Sequence, residues 1–340
     1  MLDNNYDLYC FEQNPGDNLE WRNYDADNGN NHFDLVAGKG YLYANSQNVT
    51  LTFSGAPYHG NGVVTLRKTN NVRFSGWNLV GNPFAQTAYI TRPFYTMNEF
   101  GTEIIAGSVN SVEAMEGSFV IAESDGETMT FSATRPNAND GQIVVNVSQG
   151  TTTLDRAIVR LGEGSMLPKF MLNKSNAKIY INQEDSEYAV VRVANAEVIP
   201  VSFKAAYNGM YSISVNVEDT EVSYLHLIDD KTGADIDLLQ TPNYSFESTM
   251  DDDASRFKLV FITPCEDEDG DNDFAFFTHG NWIVSNEGNA VLQVIDLNGR
   301  IISSEEIHGS MSKHMETVPG VYMLRLITGD KVKVQKIVVR

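Results

Sequence analysis

Apolar residues recur at every second position in short runs along almost the whole chain, and Gly, Asn, Asp and Pro punctuate the gaps. The pattern is plain in YLYA (41–44), VTLTF (49–53), VVTLR (63–67), SFVIA (118–122), MTFSA (129–133) and QIVVNVS (142–148). It continues through AIVRL (157–161), KIYIN (178–182), YAVVRV (188–193), VSFKA (201–205), MYSISVNV (210–217), YLHLID (224–229) and RFKLVFI (256–262). A period of two sends alternate side chains to opposite faces of an extended strand. No stretch of a dozen residues holds a helical period. The sequence therefore predicts an all-β protein made of tandem β-sandwich modules.

A chain of 340 residues is long for one ordinary domain. The Gly/Thr-rich SQGTTTLD suggests a boundary near 150–155, and the acidic TPCEDEDGDND (263–273) reads as a solvated linker. The expected organisation is a first sandwich over 1–154, a second over 155–262, the linker 263–273, and a C-terminal Ig-like sandwich over 274–340. Charge separates the last of these from the rest. Residues 274–340 carry seven Lys or Arg against six acids, whereas the first 273 residues carry 17 basic and 39 acidic groups. The overall charge of −21 argues against nucleic acid as a partner, because phosphate recognition needs basic patches. No apolar run is long enough for a transmembrane helix.

Catalytic and metal-binding patterns are sparse. Cys10 and Cys265 are the two cysteines, and neither has a second Cys or a His at ligand spacing. Cys10 sits in an expected strand, DLYCF, with no activating neighbour. The six histidines are scattered, and no HExxH, GxSxG or Walker loop occurs. The expectation is a non-enzymatic chain without a cofactor. Alternating acids at Asp267, Asp269, Asp271 and Asp273 depart from EF-hand spacing. Such a strip can take up Ca²⁺ weakly, as can Asp25-Ala-Asp27-Asn-Gly29. An aromatic platform built on Trp21, Tyr41 and Tyr43 is the candidate glycan site.

Two groups of motifs carry a resemblance. GWNLVGNPF (76–84) resembles a signature of β-sandwich regions in large secreted proteins of Bacteroidota. The segments RAIVRLGEGSMLPKFML (156–172), VIPVSFKAAYNGMYSISV (198–215) and YLHLIDDKTGADIDLLQTPNYSF (224–246) resemble the module that follows it there. The tail matches more strongly. LQVIDLNGRII (292–302), PGVYMLRLI (319–327) and KVQKIVVR (333–340) resemble the three ordered motifs of type A sorting domains of the type IX secretion system. The resemblance implies an exported cell-surface or secreted protein whose last domain is read by an outer-membrane translocon. A sortase then removes that domain and can attach the cargo to lipopolysaccharide. The residues that carry the motif are Gly299, Arg300, Gly320, Tyr322, Gly329, Lys336 and Arg340, the last standing where Lys is commoner in the family.

The amino end has no basic start followed by an apolar core, so the sorting reading expects a longer precursor with its signal upstream. Two other readings stand beside it: a glycan- or protein-binding adhesin, and the accessory end of a secreted enzyme, such as a peptidase, whose catalytic domain precedes Met1. Within the tail, Thr328-Gly329-Asp330-Lys331 is an expected hairpin with a two-residue loop. Tyr322, Leu324 and Leu326 should share one face, and Val321, Met323, Arg325 and Ile327 the other. The last strand is inconsistent in parity, since Val332 and Val334 alternate out of step with Ile337 and Val339. A bulge near Gln335, or a change in which face is covered, would reconcile them.

Overall fold

The computed structural model describes the chain apart from residues 1–5, 14–19, 26–31, 99–100, 136–140, 172–175, 184, 194–195, 264–273, 279, 287, 330 and 340. Every regular element described is a β-strand. The chain divides into two compact units, one of residues 1–139 with 165–167 and one of 140–164 with 168–340.

The first unit is built from small sheets. Tyr6–Phe11 lies between Trp21–Asn23 and Tyr41–Asn45, and Gly117–Ile121 lies between Trp77–Gly81 and Tyr95–Met97. Leu66, Val80, Ile90, Phe94, Val120 and Phe131 fill its core. The GWNLVGNPF segment works here through side chains that stand in for missing backbone partners. Asn82 donates to the carbonyls of Gln86, Val112 and Glu113 and accepts from Phe84 N. Asn78 accepts from Arg67 N and donates to the Arg67 and Gly76 carbonyls. Trp77 is buried, and Gly76 takes a positive φ of 81° where a Cβ would lie 2.6 Å from the Ala122 carbonyl oxygen. The run VTLTF (49–53), expected as a strand, finds no sheet partner. Its Val49, Leu51 and Phe53 stay exposed, so local alternation did not suffice without a neighbour to pair with.

The second unit begins earlier than expected. Gln142–Gln149 pairs with Thr152–Leu161 and with Gly209–Glu218, so the Gly/Thr-rich stretch is a hairpin turn, with Gly150 at φ 61°. The boundary placed at 154/155 therefore falls inside one hairpin, and the break between the units lies at 139/140. Along its main path the sheet of this unit is antiparallel except where Thr152–Leu161 runs parallel to Ser186–Val193. It curls over on itself. Phe257–Ile262 and Asn243–Ser248 stand near opposite ends of the strand order, yet the Phe257 and Phe246 rings are 4.9 Å apart.

A buried ion pair closes this curl. The Arg256 guanidinium grips Asp229 through two bonds of 2.8 and 2.7 Å, donates to the Glu247 carbonyl, and lies over the rings of Phe246 and Phe257. Tyr244 donates to the same carboxylate at 2.9 Å. Burial pushes the Asp229 carboxyl up, but the Arg256, Tyr244 and neighbouring hydrogen bonds outweigh it and hold the carboxyl at about 2.

The last 67 residues, 274–340, have two sheets and a core of their own. One sheet is Ala275–Thr278, Asn281–Val284 and Met311–His314, and the other is Ile301–His308, Asn289–Asp296, Gly320–Thr328 and Lys331–Val339. Trp282, Leu292, Val294, Tyr322, Leu324, Leu326, Ile337 and Val339 are buried between them. This small sandwich packs against the rest of its unit through Ile283 and Phe276, which meet Tyr224, Val260 and Ile262. The linker expected at 263–273 lies outside the described residues except Thr263, which is buried.

A carboxyl whose folded pKa is depressed stabilises the fold above its unfolded value, near 4, and loses that contribution as pH falls through the folded value. Asp229→Asn is therefore expected to cost on the order of 3 kcal/mol at neutral pH, the range for breaking a buried pair. Denaturant titrations from pH 7 down to about 2 should show the gap between wild type and variant persisting to about pH 4 and closing toward pH 2. A gap independent of pH would count against the ion pair as its source.

Candidate functional site

The C-terminal sandwich is built around the hairpin of its last two strands. The register runs without interruption from Gly320 opposite Val339 to Thr328 opposite Lys331, the pairing that the expected two-residue loop requires; Gly329 takes a φ of 59°, and Asp330 lies outside the described residues. No bulge occurs at Gln335. The parity problem is resolved by coverage. Ile337 and Val339 face the core, and Val332, Val334 and Val338 face solvent on the other side. Lys331 and Lys333 share the parity of the core residues and stay exposed at the loop end of the hairpin. The strand of Gly320–Thr328 divides as expected, with Tyr322, Leu324 and Leu326 buried.

Gln335 sits between these two regimes and stitches the sandwich together. Its side-chain carbonyl accepts from Phe274 N and Ala275 N, both at 2.8 Å, and its amide donates to the Ala275 carbonyl at 2.8 Å. An amide side chain thereby does what a neighbouring strand would do, tying the last strand of one sheet to the first strand of the other. Nothing in the alternation pattern marks this role, because a lone Gln in a strand reads as a solvent-facing residue.

The motif residues gather unevenly. Asp296 pairs with Tyr322, Tyr322 with Ile337, and Gly320 with Val339, which puts the 296–301 turn, Gly320, Tyr322 and Lys336 at one end of the sheet. Gly329 is at the other end, and Arg340 lies outside the described residues. In the turn, Asp296 accepts from Asn298 N and Arg300 N at 2.9 Å and from Arg300 Nε at 3.0 Å. Those bonds hold its carboxyl below the usual range, and Gly299 takes the φ of 79° that the reversal needs. The Arg300 side chain is 79% exposed. Tyr322 donates to the Val318 carbonyl at 2.7 Å and meets Trp282 edge to face, and Trp282 donates to Thr317. Tyr322 and Gly299 thus build the end of the sheet, and Arg300 and Lys336 project from it. The outward face of the hairpin joins Val321, Met323 and Ile327 to the three exposed valines. Arg325 on that face donates to Gln293.

The expected aromatic platform in the first unit is not assembled as drawn. Trp21 stands opposite Phe11, whereas Tyr41 stands opposite Cys10, so Trp21 lies on the other face of the sheet from Tyr41 and Tyr43. Trp21 packs edge to face with Tyr9, Phe11 and Phe119. Tyr41 stacks on Phe33, and Tyr43 on Tyr6. Tyr24 stacks on His32, whose ring meets Asp25 at 3.2 Å.

The remaining candidates acquire ordinary surroundings. Cys10 is fully buried, and burial pushes its thiol up. His226 lies against Tyr224 and contacts Asp235 at 2.7 Å. Among the described residues no group of three His, Cys, Asp or Glu is placed to hold a metal. The acidic strip 267–273, Asp27, Gly29 and Cys265 lie outside them. No helix of the described residues is long and apolar enough to cross a membrane.

No family model and no curated protein matches the chain. Among solved structures, a similar chain bears the description "Biofilm associated protein - BSP domain". It is 8% identical, the alignment covers 84% of this chain and 67% of that one, and the TM-score is 0.19. A likeness of that size carries no argument about function.

Gln335→Leu should leave two backbone donors and a carbonyl without their partner, and cost on the order of 2 kcal/mol. Hydrogen exchange is expected to show the loss at Phe274 and Ala275 and the neighbouring strands, with the first unit unchanged. Unchanged protection at 274–284 would show that Gln335 is not the stitch.

Proposed function

We propose that the chain is the C-terminal region of an exported cell-surface or secreted protein, and that residues 274–340 are its type IX sorting signal. The observation that carries the reading is the terminal hairpin. The three sequence stretches that resemble the sorting motifs form adjoining strands of one sheet, and the outward face of the hairpin presents valines and cations rather than a typical polar surface. In this account the tail folds in the periplasm. The translocon reads the exposed hairpin and the end of the sheet that bears Arg300 and Lys336. A sortase then cuts in or near 263–273. The reading assigns no catalytic residue and no cofactor to the chain.

A second reading, glycan binding, is favoured by the partly exposed rings of Tyr6, Tyr24, Phe33, Tyr41 and Tyr43. Rings of this kind stack on sugar faces, and Asn23 and Asp25 beside them can hydrogen-bond hydroxyls.

The sorting reading predicts that protein recovered from the cell surface or medium of the producing cells ends between Pro264 and Asp273. Mass spectrometry of the carboxyl terminus reads this directly, and an intact Arg340 on surface protein would overturn the cleavage step. Removal of the tail also uncovers Tyr224, Val260 and Ile262. The shortened protein should therefore bind an apolar dye more strongly than the full chain. Equal dye binding would mean that this contact does not hold the tail in solution.

A further inference from the structure

We infer that Asp155 and Lys169 are joined by an intramolecular isopeptide bond in the mature second unit. The two side chains are each 1% exposed, and Lys169 Nζ lies 2.6 Å from Asp155 Oδ2. Both are held by one residue of the strand Lys178–Gln183. Ile179 N donates to Asp155 Oδ2 at 2.9 Å, and Lys169 Nζ donates to the Ile179 carbonyl at 2.8 Å. The other carboxylate oxygen, Oδ1, is buried and has no hydrogen-bond partner among the described residues.

That asymmetry points to a particular reaction. A buried carboxylate oxygen without a partner is costly, and a buried ion pair already bears a desolvation penalty. Burial also pulls the Lys169 ammonium down toward the neutral amine, which is the nucleophilic form. Transfer of one ammonium proton to the carboxylate gives a neutral amine beside a carboxylic acid. Nζ then attacks Cγ, the bond from Cγ to Oδ1 breaks, and Oδ1 leaves as water with the acid proton and one amine proton. No oxidant or reductant is needed. The amide that remains keeps both contacts to Ile179, its oxygen accepting from the backbone N–H and its N–H donating to the carbonyl. The atom expelled is the one that had no partner. The product ties the strand Thr152–Leu161 to the segment after Pro168 by a bond that does not depend on redox conditions.

The test is the mass of the full chain measured in denaturant, followed by peptide mapping. The expected result is a main species lighter than the sequence mass by one water, with a fragment in which Asp155 is joined to Lys169 and trypsin no longer cuts after Lys169. Lys169→Arg should restore the full mass, and Asp155→Asn should instead lose one ammonia. Succinimide formation at Asp125-Gly126, Asp140-Gly141 or Asp269-Gly270 also releases water, so the position of the loss decides the matter. A full-mass chain with residues 155 and 169 in separate peptides, or a loss mapped elsewhere, would overturn the inference. The wild-type reading stands even if the variants fail to fold, because it is made on denatured protein.

Discussion

A β-strand has no way to satisfy its backbone from within, and each N–H and C=O of the strands described must find a partner on another segment. Regular ladders meet most of that demand. Where ladders stop, this protein substitutes side chains that carry a carbonyl or carboxylate. Gln13 bonds to the backbones of Arg67, Thr69, Gly76 and Trp77 in the first unit. Asn78 and Asn82 do the same around the Trp77 strand, and Asp252 collects the Thr249 backbone, the Ser248 and Thr249 hydroxyls and Lys231 in the connection between Asn243–Ser248 and Phe257–Ile262. Gln335 joins the two sheets of the C-terminal sandwich. These positions are where the architecture turns corners, and a single substitution there unpairs several groups at once.

The second unit shows how far one sheet can be bent by such devices. Its outer strands meet through aromatic rings, and the Arg256–Asp229 pair fixes that meeting with charge-assisted bonds and cation–π contact. The C-terminal sandwich then rests on the same unit by an apolar contact around Ile283 and Tyr224 and by a hydrogen bond from Ser310 to the Ser223 carbonyl.

Much of this architecture was legible in the sequence because a period of two is a direct statement about strand faces. The division of Tyr322, Leu324 and Leu326 from Val321, Met323 and Ile327 follows from alternation alone. The pairing of Thr328 with Lys331 and the burial of Trp77 were equally readable. What alternation cannot show is pairing. Residues 49–53 alternate well and remain unpaired, and the 150–155 stretch has the composition of a boundary but supplies a hairpin turn at 150–151 and the start of the strand Thr152–Leu161. The face of Trp21 depended on register, which moves every side chain with a one-residue step. Gln335, Asp229 with Arg256, and Asp155 with Lys169 were not legible, since each acts through partners distant in sequence.

The functional account rests on the C-terminal sandwich being read as an address. The most direct measurement fuses residues 263–340 behind a periplasmic signal peptide and a reporter, and expresses the fusion in cells that possess the type IX translocon. The account predicts reporter at the cell surface or in the medium, freed of residues 274–340, and periplasmic retention when the translocon is deleted. Reporter that stays in the periplasm of translocon-competent cells, folded and uncut, would contradict it.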